Sequence, residues 1–312
     1  MKNIIRISKK DMTHEEWLSA RKDGIGGSEA AAIMGLSKYS SPYRVWADKM
    51  NLVEPFEVTE AMRQGTDLED YVAKRFCEQT GKKVHNTNFI YKNPEYPFAL
   101  ANVDRLVSGE EAGLECKTTS EMNLSKFKGG EFPANYYAQC MHYLMVTGYQ
   151  KWYLAVLVYS RGFYVFEIER NDEEIAALAK AEAELWDCVK SGIAPEVDGT
   201  DATAATIEEL NSPSEPDDVD LTGVKDHLNE YARLMKESKE IDEAIALHKN
   251  AIMEFMGTAE HGYYDGFSVS YKTQAGRKTF DEKAFTAANP GIDLEKFKKI
   301  GKETRPFKVT IK

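Results

Sequence analysis

The sequence predicts an α/β (α+β) fold: a central mixed β-sheet flanked by helices, then an acidic linker, then a helical/β C-terminal module. Three observations predict it. Over residues 13–192, segments of helical spacing alternate with short runs rich in β-branched and aromatic residues. Residues 195–219 hold acids, Pro and Ser but little to bury. From Val224 to Phe255, apolar residues recur at three- to four-residue or whole-heptad spacing.

Taken in order, Thr13-His14-Glu15-Glu16 is a capping-box pattern that opens a helix to about Lys22. GIGGSEAAAIMG (24–35) is a glycine turn running into a small helix, with Ser28 the expected N-cap. Ser41-Pro42 opens a helix to about Met50. Residues 59–80 read as one longer helix stopping before Gly81; in it Glu69 shares a stripe with Val72, Ala73 and Phe76. Strands are expected over 84–91, 98–107 and 113–119. Pro133 precedes a helix at 134–147, stopped by Gly148. WYLAVLVY (152–159) and FYVFEIER (163–170) form a hairpin about Ser160-Arg161-Gly162, and Asn171 caps a helix ending at Gly192. In the tail, residues 220–255 read as an amphipathic helix, Asp265-Gly266 as a hairpin turn, and TRPFKVTIK as a closing strand. The expected parts are therefore 1–194, the linker 195–219 and a module at 220–312.

Composition excludes several classes. At 312 residues and 42% hydrophobic the chain buries a real core, so global disorder is excluded. MKNIIRISKK lacks the apolar run of a signal peptide, and no segment reaches the roughly 18 apolar residues of a membrane span, so a cytoplasmic setting is expected. Cys77, Cys116, Cys140 and Cys188 form no C-x-x-C pair, and the six histidines form no H-x-H or H-E-x-x-H cluster. Zinc and iron–sulfur chemistry therefore has no visible home. The net charge of −11 is misleading, because residues 195–220 carry nine acids and no Lys or Arg. Residues 272–312 hold eleven Lys/Arg against five Asp/Glu, and Lys2, Arg6, Lys9 and Lys10 make a basic start.

The chemistry-bearing stretch is NVDRLVSGEEAGLECKT (102–118), which sets Asp104, Glu115 and Lys117 among apolar strand residues. Side chains alternate along a strand, so Glu115 and Lys117 share a face. If Glu69, Asp104 and Glu115 converge, each close pair repels by about 4 kcal/mol at an effective dielectric near 20. One lysine cannot neutralise three carboxylates, whereas a divalent cation can. An all-oxygen set suits Mg²⁺, with Mn²⁺ as substitute. A hard cation beside a lysine suits phosphodiester hydrolysis. The bland alternatives are a surface ion pair for Glu115 and Lys117, a structural ion pair for Glu69 and a satisfied core histidine for His142.

D-x10-E-x-K with a Glu on the preceding helix resembles the PD-(D/E)xK nuclease superfamily. With GIGGSEAAAIMG, GTDLEDYVAKRF, ANVDRLV, LECKTT and YYAQCMHYLMVTG in that order, residues 12–192 resemble the YqaJ-type phage recombinases, the family that includes lambda exonuclease. The resemblance implies a restriction-endonuclease-like core and a 5′-to-3′ exonuclease of linear duplex DNA, leaving 3′ tails for annealing. It implies Asp104, Glu115 and the Cys116 backbone carbonyl as metal ligands in a two-metal site, completed by Glu69. Lys117 is then the catalytic lysine, Gln139 a glutamine beside the site, and Arg21 with Ser28 the pocket for a 5′-phosphate. It further implies a ring-like trimer, a single-strand annealing partner and a phage or prophage origin in a bacterial cytoplasm. The rivals are an endonuclease of the same fold and a non-catalytic DNA-end scaffold. Residues 195–312 have no counterpart in the compact members; the expectation is that the tail recruits the annealing partner.

Overall fold

The apolar, aromatic-rich runs at 151–158 and 162–169 form the last two strands of the main sheet, one of them its edge. A computed structural model describes residues 4–301 and 305–310. The chain divides into two units, Met1–Ser212 and Pro213–Lys312.

The first unit begins with β1 (Ile5–Ser8), α1 (His14–Lys22), β2 (Ile25–Gly26), α2 (Gly27–Ile33) and α3 (Pro42–Lys49). It continues with α4 (Glu60–Asp67), α5 (Glu69–Thr80), β3 (Val84–Asn86), β4 (Phe89–Asn93), β5 (Tyr96–Ala101), β6 (Arg105–Val107) and β7 (Ala112–Thr119). A 3₁₀ segment at 121–130 leads to α6 (Ala134–Thr147), β8 (Lys151–Val158), β9 (Gly162–Glu169), α7 (Asp172–Ser191) and α8 (Asp201–Leu210). The main sheet is mixed, in the order β3-β6-β7-β8-β9, with β7 and β8 parallel and the remaining pairs antiparallel. A parallel pair needs a crossover, which the 3₁₀ segment and α6 provide. A second sheet runs β1-β4-β5-β2.

Strand alternation fills both faces of the main sheet. Leu114, Tyr153 and Ala155 pack with Val72, Ala73 and Phe76 of α5, so the apolar stripe read from the sequence is the one buried. Leu154 and Val156 point the other way, into the larger cluster around Leu144, Met145 and Trp152. α6 is buried from Ala138 to Thr147, with Gln139 and His142 hydrogen-bonded inside it.

Several expected elements are corrected. The helix expected over 59–80 is two helices that meet at Leu68, which places Glu69 at the first position of α5 rather than mid-helix. The strand expected over 98–107 breaks at 102–104: β5 joins one sheet and β6 the other, and Asp104 lies in the break. The strand expected over 84–91 divides in the same way. Gly26, not Ser28, is the N-cap of α2, and the Glu29 carboxylate accepts its N–H at 2.8 Å.

The linker expected over 195–219 holds α8, capped by Thr200. Thr203 donates to Ser41 Oγ at 2.8 Å, and Glu209 pairs with Arg44 and accepts from the Glu54 N–H. Acidic composition misled here because Glu209 and Thr203 meet fixed partners on the body of the unit. The first unit accordingly runs to Ser212.

The second unit contains α9 (Lys225–Met256), the hairpin β10 (His261–Tyr264) and β11 (Phe267–Ser270), and α10 (Glu282–Ala288). Gly266, at φ 83°, supplies the left-handed residue of the hairpin turn. Residues 305–310 form no regular element, contrary to the closing strand expected there; Thr304, Ile311 and Lys312 lie outside the described residues. Among the described residues, no helix is long and apolar enough to cross a membrane.

Candidate active site

Glu115 and Lys117 project from β7 toward α6. Lys117 Nζ lies 2.6 Å from Glu115 Oε1 and 5.7 Å from the centroid of the Tyr136 ring. Gln139, one turn along α6, donates from Nε2 to the same Glu115 oxygen at 2.7 Å and to the Tyr143 hydroxyl at 2.8 Å. Glu115 is 2% exposed, and its Oε2 is buried with no hydrogen-bond partner. An orphan carboxylate oxygen in such a place is costly.

Asp104 joins the group because the strand breaks before β6. The β6–β7 ladder ends at Arg105 and Leu114, and beyond it the Cys116 N–H donates to Asp104 Oδ2 at 2.8 Å. A strand residue carries its N–H and C=O on one side, so the Cys116 carbonyl faces the same gap. Burial pushes the Asp104 carboxyl well above the ordinary carboxylate range, and Glu115 and Glu69 add to it against the pull of Lys117 and the Cys116 N–H. For Lys117, burial disfavours the charge, but Glu115 and Asp104 outweigh it and hold the ammonium above the usual lysine range. The Cys116 thiol is pushed up, chiefly by burial and then by Asp104 and Glu115, so it stays protonated.

Glu69 has a partner of its own. It is held by Arg105 Nη1, while Arg105 Nη2 lies 2.6 Å from Asp70 Oδ1. Among the described residues, no three His, Cys, Asp or Glu side chains are grouped closely enough to hold a metal ion as they stand. Glu69 lies near enough for its charge to act on Asp104, and it is paired with an arginine that sequence reading passed over. A signal for Arg105 existed: an arginine opening a buried three-residue strand needs an acidic partner. The donor set fits a hard cation all the same. Asp104, the orphan oxygen of Glu115 and the Cys116 carbonyl are all oxygen donors, the kind such a cation takes.

Arg21 and Ser28 do meet. Arg21 Nη2 donates to Ser28 Oγ at 3.3 Å, and the guanidinium sits 5.0 Å from the Trp17 ring centroid. Trp17 Nε1 donates to Asn102 Oδ1 at 3.4 Å, two residues before Asp104. Lys49, unremarked in the sequence, is buried beneath the turn, where Nζ lies 2.8 Å from Glu29 Oε1 and donates to the Arg21 carbonyl at 2.9 Å.

His142 is a core residue: its Nδ1 is 2.7 Å from Glu182 Oε1 and its Nε2 is 3.0 Å from the Leu100 carbonyl. Of the basic start, Lys2 lies outside the described residues, and Arg6 and Lys10 are exposed. Lys9 is half-buried; burial lowers its pKa, while Asp104 and Glu69 act to raise it.

Residues 16–150 match the model of the YqaJ-like viral recombinase domain. The chain is 38% identical to the uncharacterized protein YqaJ of Bacillus subtilis (strain 168) over 300 residues, covering 94% of this chain and 92% of that one. Coverage of that extent takes in most of the C-terminal unit. An alkaline exonuclease from Laribacter hongkongensis is similar in structure, with TM-score 0.50 and 23% identity over 57% of this chain and 93% of that one. Its complex with dAMP gives a TM-score of 0.51 at 22% identity over the same shares. At that identity the likeness establishes the fold, an alkaline-exonuclease-type mixed α/β core.

Proposed function

The chain belongs to the YqaJ-like viral recombinase family, and from that premise we propose that it is a Mg²⁺-dependent deoxyribonuclease that degrades linear duplex DNA from 5′ ends and leaves 3′ single-stranded tails. One observation carries the catalytic reading. Glu115 is anchored through one oxygen by Lys117 and Gln139, while its other oxygen is buried without a partner in a group whose like-charged member is Asp104.

Asp104, Glu115 and the Cys116 carbonyl would hold the cation, with Mn²⁺ substituting and Glu69 completing a two-metal site. When bound, the cation supplies Lewis-acid stabilisation of the phosphoryl oxygens and a more acidic water. The rest falls to the protein. Lys117 stays charged throughout the working pH range and donates to a phosphate oxygen or orients the attacking water. Gln139 fixes the Glu115 carboxylate, so its free oxygen keeps one direction. Arg21 and Ser28, exchanging only a 3.3 Å hydrogen bond at the surface, are free to turn their donors to a 5′-phosphate.

By the same premise we propose a homo-oligomer, a trimer in the ring-like form, working on duplex ends in a bacterial cytoplasm beside a single-strand annealing protein. The deciding assay compares end-labelled linear duplex with closed circular DNA, in Mg²⁺ or EDTA, with 5′-phosphate and 5′-hydroxyl ends. Loss of label from the 5′ end of linear DNA only, faster with the phosphate, is expected. Cleavage of closed circles at a comparable rate would favour the endonuclease reading, and no cleavage of either form in Mg²⁺ would favour the scaffold.

A further inference from the structure

We propose that Tyr143 is a positioning residue that sets the spacing between the 5′-phosphate pocket and Glu115, so that a terminal phosphate raises kcat as well as binding. The inference deepens the reading above and rests on it.

Tyr143 is engaged at both ends. Its hydroxyl oxygen accepts from Gln139 Nε2 at 2.8 Å, and the same nitrogen donates to Glu115 Oε1 at 2.7 Å. Its ring fills the space that a side chain on Gly27 would need: a Cβ there would fall 2.6 Å from Tyr143 Cε1. Gly27 is the residue before Ser28, whose hydroxyl meets Arg21. A single side chain therefore touches the turn that carries the pocket and the amide that holds the catalytic carboxylate.

Neither end has slack. Tyr143 is 3% exposed, and its ring packs against Trp152 with centroids 5.1 Å apart. Trp152 in turn occupies the place of a side chain at Gly113, where a Cβ would fall 2.2 Å from the indole. On the far side of the turn, Glu29 accepts the Gly26 N–H at 2.8 Å and is paired with buried Lys49, which also holds the Arg21 carbonyl. Close packing transmits displacement where a looser interior would absorb it. A phosphate seated on Arg21 and Ser28 thus finds Glu115 at a fixed distance. Misplacement by about 1 Å is enough to cost up to about a hundredfold in rate.

Tyr143→Phe is the test, because it keeps the ring and its packing and removes only the hydroxyl that orders Gln139. Steady-state kinetics on duplexes with 5′-phosphate or 5′-hydroxyl ends would be measured for the full chain. The expected result is a fall of about tenfold in the kcat advantage of phosphorylated ends, with KM for those ends within about twofold of the unmutated protein. In an Arg21→Ala background the same substitution should cost less than about threefold, since the pocket it refers to is already gone. An equal fall in kcat on both kinds of end would overturn the proposal and leave the hydroxyl a plain support for Glu115. No change on either end would also overturn it. If the unmutated enzyme does not distinguish the two ends, the pocket reading itself fails and the spacing role goes with it. A discriminating enzyme that is indifferent to Tyr143→Phe sinks the spacing role alone.

Discussion

Two groups of buried charge meet on α6, one turn apart, and they are put together differently. His142 and Glu182 are both fully buried, one base against one acid, and both imidazole nitrogens face an acceptor. Asp104, Glu115 and Lys117 are two acids against one base, with Lys117 still partly open to solvent. Each group leaves one carboxylate oxygen without a partner, Glu182 Oε2 and Glu115 Oε2. An orphan oxygen therefore does not single out a functional site. Imbalance with access does: the sealed pair is neutral overall and reads as structure, whereas the open group has a surplus charge that a cation from solvent would complete. Arg105 meets both Glu69 and the exposed Asp70, so that group too has two acids against one base.

The contrast breaks most sharply in activity. Lys117→Ala should lower cleavage of end-labelled duplex by about a hundredfold to ten-thousandfold, with the fold intact by circular dichroism. Replacing the other group entirely, as His142→Leu with Glu182→Leu, should leave turnover within about threefold, because an apolar pair of similar volume is tolerated in a sealed site. Full activity in Lys117→Ala would remove its catalytic assignment. Loss of activity in a well-folded double variant would mean that the sealed pair is also part of the machinery.

In stability the order reverses. Glu182→Ala alone should cost about 3–5 kcal/mol in a urea titration, since it leaves a buried imidazole without its acidic partner; Glu115→Gln in the metal-free protein should cost far less. A small effect at Glu182 would show that the pair is not the structural element inferred from its balance.

Asp104 sharpens the comparison through pH. Its folded pKa lies above its unfolded value, so the folded state binds the extra proton, and the metal-free protein loses stability as pH rises from the ordinary carboxylate value near 4 through the raised one. Asp104→Asn should abolish this dependence and stabilise the metal-free protein at neutral pH, while eliminating cleavage. Thermal melts at pH 5 and pH 8, with EDTA or Mg²⁺, measure it. A metal-free protein that is more stable at pH 8 than the Asp104→Asn variant would contradict the unpaired-charge account.

The smallest effect belongs to the pair that is neither sealed nor unbalanced. Glu209 of α8 is 37% exposed where it meets Arg44, so Glu209→Gln should cost about 1 kcal/mol or less and leave cleavage unchanged. A cost near that of Glu182→Ala would mean that α8 is as integral to the first unit as α6.

Much of the first unit was legible because its signals are local. Thr13 with Glu16, Ser41 with Pro42, Asn171, and the glycines at 148 and 192 each mark a helix end within a few residues, and each helix ends there. The site was legible as far as the two-residue period of a strand reaches, which puts Glu115 and Lys117 on one face. Arg105 as the partner of Glu69, Lys49 beneath the glycine turn and the docking of α8 on α3 were not, because each joins residues 28 to 165 apart in the chain.

By itself, then, the sequence determined most of the helix ends of the first unit, the shared face of Glu115 and Lys117, and the motif order of the nuclease core. These follow from caps, turn glycines and side-chain periodicity, all of which act over a single turn or a few strand residues. Only the tertiary structure decided that the chain breaks at Leu68 and before Asp104, that Arg105 pairs with Glu69, and that an acidic stretch folds onto the body. In each case the choice lies between local patterns of similar free energy, and it is settled by a distant partner, an arginine, a lysine or a neighbouring sheet, whose position no local pattern specifies.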